Sequence, residues 1–131
     1  MAGSYQDLRV WQNAMDLVEC VYGETQGFPK EELYDLTSQM RRAAVSIPQA
    51  TSPRAKGEDR SLFFCHARGS LLELETQVLI AQRLKYLTPE RAEALTKSSA
   101  ELGRMLNSLI QSIRSPEGTN RSASREAKSE V

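Results

Sequence analysis

Apolar side chains recur at alternating intervals of three and four along four long stretches of the chain. That spacing returns to one face of an α-helix every one to two turns. The first stretch predicts a helix over about Val10–Thr25, with Trp11, Met15, Val18, Tyr22 and Thr25 in the stripe and Ala14 and Val21 widening it. Gly27-Phe28-Pro29 ends it. The second predicts a helix over about Glu31–Ala50 through Leu33, Leu36, Met40, Ala43, Ile47 and Ala50. Pro48 lacks an N–H and crowds the carbonyl four residues back, so a kink or an early end is expected there. Pro53 and Gly57, amid polar residues, predict a loop over Thr51–Asp59. The third stretch has the most regular seam: Phe64, Ala67, Leu71, Leu74, Val78 and Ala81. Gly69 interrupts it at about 1 kcal/mol relative to Ala, and close approach of a neighbouring helix is the expected reason. The fourth opens on Thr88-Pro89-Glu90: an N-cap, a proline at the first position and an acid in the first turn. Ala92, Leu95, Ser99, Leu102, Leu106, Leu109 and Ile113 carry its seam to Arg114, and Ser115-Pro116-Glu117-Gly118 stops it.

No segment has the period-two alternation of a half-buried strand. Four amphipathic helices with short links predict an all-α fold, an antiparallel up-down-up-down four-helix bundle. An open helical array and a domain-swapped dimer are the alternatives. Residues 1–9 are expected to form a lead-in and 10–114 the bundle. Residues 115–131, almost devoid of apolar side chains, are expected to form a disordered C-terminal tail.

Composition narrows the class further. At 131 residues, 40% hydrophobic and 26% charged, the chain suits one globular domain. No apolar run approaches the roughly 18 residues of a membrane span. The N-terminus lacks the basic-then-apolar order of a secretory signal. A cytoplasmic protein is expected, with Cys20 and Cys65 as buried thiols in a reducing compartment and a disulfide between them a minor alternative.

Little in the chain points to catalysis. The single histidine, His66, has no partner at metal-ligand spacing, and Cys65 projects about 100° away from it on a helix. Glu73 and Glu75 are two residues apart and diverge. No glycine-rich phosphate loop and no nucleophile–base pair can be read. The expectation is therefore a protein that is not an enzyme, with no cofactor, no metal and no small-molecule substrate.

Two surface features point to binding instead. Cys65, Leu72 and Leu79 form a second apolar line on the third helix, about 100° from the seam, with Arg68 and Glu75 between the two lines. Cys65, Arg68, Leu72, Glu75 and Leu79 are therefore the candidate oligomer interface, with scattered surface apolars as the plainer reading. Charge is also uneven although the net charge is zero. Residues 16–35 hold six acids and one base; residues 41–68 hold six bases and two acids. In an antiparallel bundle these segments separate toward opposite ends. Arg41, Arg42, Arg54, Lys56 and Arg60 are the candidate nonspecific nucleic-acid contacts, against a plainer reading of solvated or paired charge. No base-stacking aromatics accompany the basic end.

Four motifs resemble one family in order. Asp7-Leu8-Arg9-Val10-Trp11-Gln12-Asn13-Ala14, the run Leu36-Thr37-Ser38-Gln39-Met40-Arg41-Arg42-Ala43-Ala44-Val45-Ser46-Ile47-Pro48, the stretch Ala67–Gln77, and Gly103-Arg104-Met105-Leu106-Asn107-Ser108-Leu109-Ile110 look like successive helices of the proteins associated with intervening sequences in bacterial 23S ribosomal RNA genes. The resemblance covers about residues 5–114. It implies a ring-like homo-oligomer, a pentamer, with no established catalytic activity. A related bundle accompanies reverse transcriptases in diversity-generating elements, which raises the expectation of RNA or DNA contact. The family's Asn-Ile-Ala-Glu-Gly after the second helix is replaced here by Gln49-Ala50-Thr51-Ser52-Pro53-Arg54, so an earlier helix end is expected and no role of that Asn or Glu transfers.

Overall fold

The computed structural model describes residues 5–53 and 60–114. It contains α1 (Tyr5–Thr25), a short 3-10 turn (Lys30–Glu32), α2 (Leu36–Thr51), α3 (Arg60–Arg83) and α4 (Pro89–Arg114), and no strand among the described residues. The tail expected over 115–131 lies outside them.

Local chemistry sets the helix ends. At the end of α1 the Thr25 hydroxyl donates back to the Val21 carbonyl at 2.8 Å. The Phe28 N–H then reaches the Thr25 carbonyl at 3.1 Å and turns the chain. Thr51 closes α2 in the same way, its hydroxyl on the Ile47 carbonyl at 2.9 Å. α3 ends in a Schellman turn: Tyr86 N–H bonds Ala81 O at 2.9 Å and Lys85 N–H bonds Gln82 O at 3.0 Å, with Lys85 at a φ of 69°. Thr88 caps α4 as expected, accepting the Arg91 N–H on its hydroxyl at 3.2 Å.

Each helix packs on two neighbours, α1 on α2 and α4, α3 on α2 and α4, and among the described residues no diagonal pair brings its backbones together. The cross-section is a square. Directions follow from the contacts: the end of α1 meets the start of α4 through Glu24 and Arg91, whereas Asn13 reaches Met105 farther along. Arg41, near the start of α2, meets Thr25 at the end of α1. Arg60, at the start of α3, pairs with Asp7 at the start of α1. Adjacent helices run antiparallel and α1 and α3 climb together. The core between them holds Met40, Ile47, Leu74, Leu102 and Leu106, all essentially inaccessible. Phe64, Ala67, Leu71, Val78 and Ala81 complete the α3 seam as its spacing predicted.

Several local expectations are corrected. α1 starts at Tyr5 rather than Val10. Its buried line is Val10, Ala14, Leu17 and Val21, while Met15 and Tyr22 are exposed and Trp11 and Val18 only half-buried. Two apolar lines about 100° apart compete on this helix, and the one with three β-branched or branched aliphatic side chains faces inward. The second segment breaks into a 3-10 turn and a later α2, which leaves Leu33 exposed. Pro48 does not end α2, which runs on to Thr51. It sits within the last turn, where its ring forfeits one ladder bond and is itself buried. Nothing lies within 4 Å of a Cβ built on Gly69, so no helix of the same chain approaches it closely. Cys20 is exposed and Cys65 half-buried, and neither is in a disulfide.

Candidate functional site

The outer face of α3 is built by the same periodicity that builds its seam. With Phe64, Leu71 and Val78 turned inward, Leu72 and Leu79 are carried about 100° round the helix from that line, at 60% and 57% exposure. Cys65 lies on the same line but nearer the core and packs against it. Arg68 and Glu75 flank the line, both half-buried. Arg68 donates to Asn107 Oδ1 on α4 at 3.0 Å. Leu62, Ile80 and Leu84 extend the exposed apolar surface of this helix and its end.

A second apolar surface, absent from the sequence reading, lies between α1 and α2. Trp11, Met15 and Val18 form one wall of a groove, and Val45 and Pro48 the other. Toward the far end it widens into a cleft lined by Tyr22, Leu33, Tyr34, Arg41 and Arg42. Tyr34 is 89% exposed at its rim. The Arg41 guanidinium lies 4.5 Å from the Tyr22 ring centre and donates to Thr25 Oγ1 at 2.9 Å. The signal was in the chain: the Trp11-Met15-Val18-Tyr22 line has helical spacing, but only packing tells an outer line from an inner one.

The candidate basic group is divided by the fold. Arg41 and Arg42 stand at the Thr25 end of the bundle, Arg60 at the Asp7 end. Arg60 is engaged, pairing with buried Asp7 and lying over the Phe64 ring. Arg42 is exposed. Arg54 and Lys56 lie outside the described residues. At the Thr25 end the 3-10 turn is tied to the α3–α4 turn by Tyr86, whose hydroxyl donates to Glu32 Oε2 at 2.9 Å and whose ring stacks obliquely on Phe28. That bond, together with partial burial and the nearby Glu32 and Glu31 charges, raises the phenol above its ordinary 10.0.

His66 is exposed on α3. Among the described residues no three His, Cys, Asp or Glu side chains are gathered to hold a metal ion. Among the same residues no helix is long and apolar enough to cross a membrane. Fold and surface together define a four-helix bundle whose distinctive features are two exposed apolar faces. The sequence model of the 23S rRNA-intervening sequence protein family matches residues 6–108. The chain belongs to that family. No curated protein matches the chain.

Proposed function

We propose that the protein works as a self-assembling, non-enzymatic bundle in the cytoplasm, a scaffold made of several copies of this chain. The observation that supports this most directly is the outer face of α3, where Leu72 and Leu79 stand exposed beside half-shielded Arg68 and Glu75. Branched aliphatics in register on a helix already buried on its other side stabilise nothing until another surface covers them. The family resemblance supplies five as the number of copies. Size-exclusion chromatography with light scattering tests the reading. The native chain is expected to elute as a multiple of 14.7 kDa. Leu72→Glu is expected to lower that mass while helical circular dichroism is retained. An unchanged mass for Leu72→Glu removes α3 from the interface.

Nonspecific RNA or DNA contact through Arg41, Arg42, Arg54, Lys56 and Arg60 is the alternative. It draws less support, because Arg41 and Arg60 are already held by Thr25, Tyr22 and Asp7 and stand at opposite ends. Electrophoretic mobility with RNA at two salt concentrations separates the readings. A nucleic-acid binder shifts the RNA at low salt and releases it steeply as salt rises; a pure scaffold shifts it at neither.

A further inference from the structure

We propose that the side of the bundle between α1 and α4 holds a binding site for a small monocarboxylate with an apolar body. The site stands apart from self-assembly, since it uses neither the outer face of α3 nor the α1–α2 groove. A pocket of about 190 Å³ lies there toward the Asp7 end, lined by Gln6, Arg9, Val10, Met105, Ser108 and Leu109. Helical spacing builds it from both walls. On α1, Val10 turns inward, while Gln6, one turn earlier, and Arg9 beside it stay exposed. On α4, Leu109 is buried, Met105 half-buried and Ser108 exposed. The serine is too short to close the gap that its neighbours frame. The wall at Met105 is held in place, because the Asn13 amide donates to its Sδ at 3.0 Å.

The lining is sorted by depth. Val10, Leu109 and Met105 give an apolar floor; Gln6, Arg9 and Ser108 give a rim of hydrogen-bond donors. Small-molecule sites divide their work in this way, with apolar contact for affinity and a few polar groups for orientation. The lining carries one charge, the Arg9 guanidinium, and no acid. Asp7, two residues earlier, is turned to Arg60, and among the described residues no carboxylate pairs with Arg9. The contact Arg9 does make, with the Tyr5 ring at 6.0 Å from its centre, uses no N–H donor. One cation selects one negative charge, and a guanidinium fork matches a carboxylate in shape. A phosphate dianion would keep a charge uncovered, and acetate would leave the floor bare. The volume limits the body to a few carbons, since it falls below the roughly 300 Å³ at which drug-sized sites begin. Hexanoate and benzoate are acids of that size.

Hexanoate is the probe, with hexanol lacking the charge and acetate lacking the body. In full-length chain carrying ¹³C at the methionine methyls, Met105 reports on the pocket. Met40, sealed in the core, and Met15, in the α1–α2 groove, are the controls. Hexanoate is expected to shift the Met105 methyl saturably and to leave Met40 and Met15 in place. Hexanol and acetate should each bind about three- to tenfold more weakly, and Arg9→Gln should weaken hexanoate by a similar factor. Ser108→Phe, a change at an exposed position, should fill the pocket and abolish the shift while helical circular dichroism is kept. A Met105 methyl that hexanoate does not move, a shift that survives Ser108→Phe, or hexanol binding as tightly as hexanoate overturns the site. None of these outcomes depends on the assembled mass, so self-assembly stands or falls separately.

Discussion

Leu74 and Leu72 are two residues apart on the same helix, and they live in different media. Leu74 is wholly buried among the four helices; Leu72 is 60% exposed. Full burial of a leucine side chain is worth about 1.5–3 kcal/mol relative to leaving it in water. The inner face of α3 therefore holds the chain together, and the outer face holds a comparable store of apolar surface that contributes only when something covers it. Identical side chains should report on folding at one position and, under the proposed assembly, on association at the other.

The sharpest way to break this comparison is truncation on both faces. Leu74→Ala should destabilise the fold by about 2–5 kcal/mol, from lost burial plus the cavity left behind. Leu72→Ala should stay within about 0.5 kcal/mol in dilute chain that has not assembled. Urea midpoints at low concentration measure both, and equal losses would mean that the outer face is also part of the intrachain core. Next in size is the pairing at the Asp7 end. Arg60→Ala leaves the buried Asp7 carboxylate without that guanidinium and should cost about 1–3 kcal/mol. A loss that small additions of salt already produce in the native chain would show the pair to be a surface contact instead.

A smaller effect separates folding from association at one position. Gly69→Ala meets nothing within 4 Å of the added Cβ and should raise the stability of the single chain by about 0.5–1 kcal/mol through helix propensity. The same methyl should weaken assembly, because it stands where the neighbouring copy is expected. Thermal unfolding and light scattering should therefore move in opposite directions; a variant that gains stability and keeps its mass takes Gly69 out of the proposed α3 interface. The smallest effect is at the Thr25 end and is confined to alkali. Tyr86 ionises above 10.0 in the folded chain because Glu32 accepts its hydrogen bond, with burial and the Glu32 and Glu31 charges adding to it. A raised folded value means that the folded state keeps this proton longer than the unfolded chain does. The stability it contributes is complete below about pH 10 and is lost as pH rises through the folded value. In an ultraviolet titration Glu32→Gln should bring the phenol back toward 10.0, and an unmoved midpoint would detach Tyr86 from Glu32.

Legibility along the chain follows the uniqueness of the apolar line. α3 has an inner line with Phe64, Leu71, Leu74 and Val78 that no other line on the helix rivals, and α4 has Leu95, Leu102, Leu106 and Leu109 after a Thr88-Pro89 start. Both were readable, as was the exposed line of Leu72 and Leu79. α1 carries two lines of similar strength, and the sequence reading placed the spacing of Trp11, Met15, Val18 and Tyr22 inward with Ala14 and Val21 at its margin. Spacing could not choose between the two, and the four helices close around Val10, Ala14, Leu17 and Val21. The groove on the α1–α2 side was hidden by that same choice: once the aromatic line is assigned to the core, it is no longer available to form a surface. The division of the basic residues between two ends was equally out of reach, because it depends on which partners Arg41 and Arg60 find in three dimensions.

The residues alone determined the number of long helices, the Thr88-Pro89 start of α4, the inner faces of α3 and α4, and the family, because each depends on spacing within one segment. Helical periodicity and turn chemistry act over a few residues and need no partner. The inward face of α1, the exposure of Leu33 and Cys20, the survival of α2 past Pro48, and the meeting of Tyr22 with Arg41 were decided by the tertiary structure. Those depend on how four rods share one limited interior, and a side chain's surroundings there are set by the other three helices as much as by its own.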